Sequence, residues 1–413
     1  MRIVHFSWEY PPVLYGGLGT FTTELSLKQH AYGHDVTVFT MNPNNSLPTS
    51  DNYNGVEVYR PKTLDYTIPF YLSADHELKS WGSHFRFYAD VLSYNIISAS
   101  QLVNLLARKN NRVFDIIHAH DWLGIMGGIV AKKEMNKPLV FHVHSTEIGR
   151  SIGRGSHTIK DIEYEGAQIA DVVVTVSHAM GDELLKLGFP VDKIRVCWNG
   201  VDPYKYNPER IPKEEAFNLR RRYGIQDHEI MIFFIGRLVT VKGVDNLVKA
   251  FPNILHEYPS AKLVILGVGD LEGMIRDMIN HQGLKDKVII RAEFVSEQER
   301  ILHYAASDVV VIPSLYEPFG IVCTEAMSMG KPVVVGAKGT NGMREQVIPS
   351  GDKQCGIHIN PYSPDDIAWG VKEVLKSKDH ALLMGKNGRE RVLSEFSWDN
   401  IAKRILEIYQ EVL

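Results

Sequence analysis

The sequence predicts two doubly wound α/β domains in tandem, and three observations carry that prediction. Short β-branched runs alternate with amphipathic stretches, the pattern of parallel strands joined by helices. The rhythm runs through the first half and starts afresh near Met231. At 413 residues the chain is also too long for one ordinary core, so two domains of about 200 residues are expected.

In the first half the expected strands are Arg2–Ser7, Asp35–Thr40, Val56–Arg60, Ile116–His118, Pro138–His144, Val172–Ser177 and Lys193–Cys197. Thr20 to Gly33 reads as the helix between the first two. Residues 62–110 form a polar-aromatic insertion with a long helical stretch, roughly Leu78–Lys109. Its aromatics either line an acceptor groove or pack within the first domain. Asn199-Gly-Val-Asp-Pro-Tyr-Lys-Tyr-Asn-Pro208 has the Asn-Gly and proline content of a linker. The second set of strands is Met231–Arg237, Lys262–Gly267, Lys287–Arg291, Val309–Pro313, Pro332–Val335 and Gly356–Ile359. The chain ends in an amphipathic helix with a stripe of Ile401, Ile405, Leu406, Ile408 and Tyr409. The boundaries read as 1–200, 201–395 and 396–413.

Composition narrows the function. Hydrophobic content of 44% with 23% charged residues describes a soluble globular chain. A net charge of −4 gives no reason to expect nucleic acid or an anionic membrane as partner. No apolar run reaches the ~18 residues of a membrane span. The first residues read as a strand rather than a signal peptide. Three cysteines, Cys197, Cys323 and Cys355, form no C-x-x-C pair and suit buried thiols in a reducing cytoplasm.

The chemistry concentrates at strand ends, where open α/β sheets bind ligands. Glu317-Pro-Phe-Gly-Ile-Val-Cys-Thr-Glu325 follows an apolar strand and runs into a helix, so a turn there presents N–H groups and a carboxylate at the sheet edge. Gly236-Arg-Leu-Val-Thr-Val-Lys-Gly243 puts Arg237 and Lys242 after the first strand of the second half, suited to a diphosphate. Tyr15-Gly-Gly-Leu-Gly19 places Gly16 and Gly17 between the first strand and first helix, where N–H groups meet an anion without an intervening Cβ. Gly267-Val-Gly269 lacks the third glycine at dinucleotide spacing. His118, His120, His142 and His144 raise the question of a metal. His118 and His142 lie inside apolar strands, where a core histidine bonded to backbone is expected, and strand-end Asp121 and His144 face the ligand edge. We therefore expect no metal site.

Taken together, these motifs resemble the retaining glycosyltransferases of family 4 and the glycogen-synthase type, over nearly the whole chain. The resemblance implies the GT-B fold, two Rossmann-like domains with an interdomain cleft, and a last helix that crosses back to the first domain; we expect the cleft to close on the donor because phosphate-binding groups come from both halves. It implies catalytic roles for His144, Arg237, Lys242 and Glu317. It also implies donor contacts from Gly16, Gly17, Gly236, Gly269, Phe319, Gly320, Ile321 and Glu325, with Glu325 on the ribose, and acceptor-side roles for Glu9, Tyr10 and Asp121. The implied reaction is metal-independent transfer of glucose from ADP-glucose or UDP-glucose to an α-glucan, without a cofactor. Alternatives are a small sugar, sugar-phosphate or lipid-linked glycan as acceptor, a nucleotide-sugar epimerase, and a non-catalytic nucleotide-sugar binder. Arg291-Ala-Glu-Phe294 and Gly336-Ala-Lys-Gly-Thr-Asn-Gly342 depart from the family pattern. Donor base, acceptor and homo-oligomeric state do not follow from these residues.

Overall fold

The computed structural model describes all residues, 1–413, as two compact units. The first comprises Met1–Asn199 together with Trp398–Leu413, and the second Gly200–Ser397.

In the first unit eight strands form one sheet: β1 (Arg2–Phe6), β2 (Asp35–Phe39), β3 (Ser50–Tyr53), β4 (Val56–Tyr59), β5 (Ile116–His120), β6 (Leu139–Val143), β7 (Val172–Thr175) and β8 (Ile194–Val196). Their order is β3-β4-β2-β1-β5-β6-β7-β8, parallel throughout except for the antiparallel β3–β4 pair. The order reverses direction between β1 and β5, so this is the topological switch point of the sheet. β5 runs two residues beyond the expected His118, because His120 and His142 are in register across β5 and β6. That extension brings His120 into the sheet.

Two expectations for this unit need correction. β3 is missing from the sequence reading, since Ser-Asp-Asn-Tyr has no apolar alternation and forms only at the sheet edge against β4. The helical stretch Leu78–Lys109 is not one helix. Short helices at Thr67–Ser73 and His76–Lys79 and a 3-10 turn at Gly82–His84 precede a helix at Phe85–Ser100, and a π-helical segment, Gln101–Lys109, ends it. Gly82, at φ +58°, breaks the run. Phe85, Tyr88 and Tyr94 are buried with Trp8 and Trp122 in a satellite core.

The terminal helix Trp398–Gln410 belongs to the first unit. It buries Trp398, Ile401, Ile405, Ile408 and Tyr409 in the same core as Phe21 and Leu25 of the helix Gly17–Ala31. Asp399 joins the two helices, accepting from Lys28 Nζ and Tyr32 Oη, each at 2.8 Å. The preceding Phe396 and Ser397 stay with the second unit, where the Phe396 carbonyl accepts from Val201 N–H at 2.8 Å.

The second unit holds β9 (Ile230–Ile235), β10 (Ala261–Leu266), β11 (Val288–Arg291), β12 (Val309–Ile312), β13 (Val333–Gly336) and β14 (Gly356–Ile359). All are parallel, in the order β11-β10-β9-β12-β13-β14. Read as first to sixth, this is the 3-2-1-4-5-6 order of dinucleotide-binding sheets, with its switch point between β9 and β12. Val, Ile, Leu and Phe from these strands pack against the helices Val244–Glu257 and Pro364–Leu375. No helix of the chain is long and apolar enough to cross a membrane.

Candidate active site

The second unit assembles its charged residues at the switch point. Gly236 and Arg237 leave the end of β9, and Ser314 to Gly320 leave the end of β12. Lys242 ion-pairs with the Glu317 carboxylate, which also accepts from Ser314 Oγ at 3.2 Å. The approach requires Gly243: its φ is +63°, and a Cβ there would lie 2.1 Å from the Pro313 carbonyl oxygen. Leu315 N–H bonds Val241 O at 2.8 Å, which locks the two strand-end turns together. Arg237 is exposed beside them.

The loop Gly336–Gly342 completes this corner. Glu317 N–H bonds Thr340 O at 3.1 Å, and Gly342 N–H returns to Glu317 O at 2.8 Å. Buried Asn341 donates to Ser314 O at 2.9 Å. A loop longer than the family pattern thus clamps the Glu317 turn. Gly269 lies in the turn after β10, zipped to the Arg237 turn by Leu238 N–H on Val268 O at 2.8 Å. A Cβ at Gly269 would meet Leu238 O at 2.3 Å.

Gly320, at φ +93°, starts the helix Ile321–Ser328, with Ile321 half-buried. Phe319 does not serve as a donor contact through its ring. It is 2% exposed and packs on Phe396 at 6.0 Å, because an apolar side chain in so tight a turn goes into the core. Glu325 is 5% exposed and already held by protein groups. Its Oε1 accepts from Tyr206 Oη at 2.8 Å and pairs with Arg300 Nη2 at 3.3 Å, and Oε2 accepts from Tyr304 Oη at 2.7 Å. The sequence reading missed these three partners.

In the first unit the residues expected at the ligand edge hold one another. Glu9 Oε2 accepts from the N–H groups of Tyr15 and Gly16, each at 2.9 Å, so a carboxylate already occupies that part of the glycine turn. Gly17 begins the helix behind it. Tyr10 is no acceptor-side group: it is buried in the core with its hydroxyl on Ser26 Oγ at 2.9 Å. Asp121 is likewise buried, and Oδ1 accepts from His144 N–H at 2.7 Å. It clamps the end of β6, in place of the acceptor-side role expected for it. Burial pushes its carboxyl up to about 6, against the lowering pull of Arg150.

Beyond His144, Arg150 donates to Ser145 O at 2.9 Å and pairs with Glu147 and Glu163 at 3.2 Å. Buried Glu163 accepts Glu147 N–H at 2.9 Å, and burial raises its carboxyl to about 8. His144 is partly exposed, and burial of its ring lowers it to about 3. Its Nε2 lies 3.1 Å from His120 Nδ1.

The interior histidines differ from expectation in their partners. His118 bonds Tyr409 Oη at 2.6 Å and His142 Nδ1 at 3.2 Å, where backbone carbonyls were expected. Two triads, His5/His118/His120 and His120/His142/His144, bring ring nitrogens within 4.8 Å of one another, the spacing of a metal-ligating group. Within the triads the nitrogens pair off as hydrogen bonds, His5 Nδ1 with His120 Nε2 and His120 Nδ1 with His144 Nε2, each at 3.1 Å.

The geometry gathers Arg237, Lys242 and Glu317 at the switch point of a Rossmann-like sheet. Comparison with known proteins identifies the class. Residues 15–205 match the model described as Glycosyltransferase Family 4, and residues 215–391 that of Glycosyl transferases group 1. An uncharacterized glycosyltransferase of Methanocaldococcus jannaschii is 36% identical, covering 99% of this chain and 98% of its own. A glycogen synthase of Mycobacterium tuberculosis is 30% identical, covering 99% and 94%. Among solved structures, sucrose-phosphate synthase from Thermosynechococcus elongatus superposes with a TM-score of 0.79 at 23% identity, covering 99% and 98%. The chain belongs to the family 4 glycosyltransferases and has the GT-B fold.

Proposed function

We propose that this glycosyltransferase moves a glucosyl unit from ADP-glucose or UDP-glucose to an α-glucan, with retention at the anomeric carbon and without a metal. The full-length likeness to a glycogen synthase supports the donor and acceptor class. The Lys242–Glu317 pair at the β9/β12 switch point is the observation that carries the chemistry.

Lys242 and Glu317 satisfy each other. An arriving diphosphate competes for the ammonium group, and the freed Glu317 carboxylate then accepts from sugar hydroxyls. As the C1–oxygen bond breaks, negative charge grows on the departing diphosphate and positive charge on C1. Lys242 and Arg237 stabilise the first, and they act on rate insofar as they bind the transition state more strongly than the ground state. The acceptor oxygen forms its bond to C1 on the face the diphosphate leaves, and its proton passes to the leaving phosphate. Glu317 makes no covalent bond to the sugar in this reading, and His144 steadies the ring. The three buried free cysteines fit a reducing, cytoplasmic setting.

The test is incubation with labelled ADP-glucose and UDP-glucose, with and without glycogen, maltose or a sugar phosphate. We expect label in polymeric glucan, α-linked by NMR. Label only in a small acceptor overturns the glucan reading, and conversion of donor with no acceptor marks an epimerase. Lys242→Ala and Glu317→Ala should each lower turnover at least about tenfold, as loss of a charge-assisted contact of ~1.5–3 kcal/mol requires. Near-normal rates in both variants would remove the site.

A further inference from the structure

Five histidines share one buried face of the first sheet: His5 on β1, His118 and His120 on β5, and His142 and His144 on and just after β6. Phe21 covers His142 and His144, with ring centroids 4.5 and 5.0 Å away. Such a layer is normally apolar, so each ring nitrogen there needs a partner.

The partners form two arms that start from one amide. Gln29 Oε1 faces His5 Nε2 at 2.8 Å, His5 Nδ1 faces His120 Nε2 at 3.1 Å, and His120 Nδ1 faces His144 Nε2 at 3.1 Å. Gln29 Nε2 donates to Tyr409 Oη at 3.1 Å, Tyr409 Oη faces His118 Nδ1 at 2.6 Å, and His118 Nε2 faces His142 Nδ1 at 3.2 Å. Burial holds all five rings in the neutral form at pH 7. A neutral imidazole carries one proton, so donating from one nitrogen makes the other an acceptor.

The ordering then propagates. Gln29 Oε1 takes a proton donor, so His5 is protonated on Nε2 and accepts on Nδ1. His120 must be protonated on Nε2, and His144 in turn. On the other arm Tyr409 accepts from the amide and gives its own proton to His118, which donates to His142. Two nitrogens end the arms unpartnered and buried, His144 Nδ1 and His142 Nε2. Rotating the Gln29 amide by 180° would reverse every proton along the His5–His120–His144 arm, so the orientation of that amide sets the ordering.

We infer that Gln29, its amide held on the far side by Tyr409, is a positioning residue that fixes the tautomer of His144 through His5 and His120, presenting it with Nε2 protonated and Nδ1 bare. The functional side of this inference rests on the role given to His144 above.

Histidine ring ¹⁵N labelling reads the tautomer directly, independent of activity. We expect His144 to be singly protonated on Nε2 from pH 5 to 8. A cationic His144, one protonated on Nδ1, or stoichiometric zinc lost on substitution of His120 would overturn the inference. In Gln29→Leu the Nε2-to-Nδ1 ratio should fall at least about fivefold, the factor one net hydrogen bond supplies. Tyr409→Phe, a one-atom change, should also lower it and serves if the first variant does not fold. An unchanged ratio in a folded variant overturns the relay alone. A shifted ratio with unchanged turnover keeps the relay and removes the catalytic role of His144.

Discussion

Glu325 shows how much a single carboxylate can depend on residues that its own motif does not contain. Tyr206, Tyr304 and Arg300 hold both its oxygens at 5% exposure, and Arg300 also donates to Tyr206 Oη at 2.6 Å. The acid is therefore held in one orientation by protein groups alone. Tyr304→Phe removes one buried bond to a charged group and should destabilise the second unit by about 1.5–3 kcal/mol. Urea unfolding measures this, and an unchanged midpoint would mean that Glu325 finds another donor. The pairing of Glu317 with Glu325 was legible in the sequence because both sit within nine residues of one strand–turn–helix unit. Tyr206, 119 residues away, could not be found that way, since only the fold brings it there.

At the scale of elements, the segment from His144 to Glu163 depends on buried carboxylates. Asp121 fastens the end of β6, while Glu163 and Arg150 fasten the turn Glu147–Arg150. A carboxyl raised to about 8 stays protonated in the folded chain while its unfolded counterpart ionises near 4.5. The unfolded state then binds fewer protons, so this group's contribution to stability declines as pH rises from about 4.5 to 8. Glu163→Gln should therefore compare best with the parent at pH 8 and worst at pH 5. Denaturant midpoints at the two pH values test it, and a difference of the opposite sign would show that Glu163 is ionised when folded. The parallel strands were legible because burial on both faces demands continuous β-branched runs. β3 was hidden by its polarity, and the Phe85 helix boundary by a glycine whose positive φ no periodicity reveals. The histidines were legible as strand residues, but their mutual bonding depends on cross-strand register.

At the scale of the molecule, the two units differ in how they respond to acid. The first holds five neutral histidines, four buried and His144 partly so, with His5 at about 4 and His144 at about 3, whereas burial lowers His303 and His358 in the second. Below pH 6.5 each of these five histidines picks up a proton on unfolding that it refuses when folded, so stability falls as pH drops. Asp121 and Glu163 oppose this, since their protons leave on unfolding above about pH 4.5. Five protons gained outweigh two lost, and each net proton is worth ~1.4 kcal/mol per pH unit. The first unit should therefore lose a few kcal/mol between pH 7 and 5. Trp8, Trp81, Trp122, Trp198 and Trp398 lie in it, and only Trp369 in the second, so tryptophan emission in urea reports chiefly on the first. An emission midpoint that moves to lower urea from pH 7 to 5 is the expected outcome. One that stays level or rises would mean that the histidine layer is already charged in the folded chain, and the proton ordering from Gln29 to His144 would fall with it.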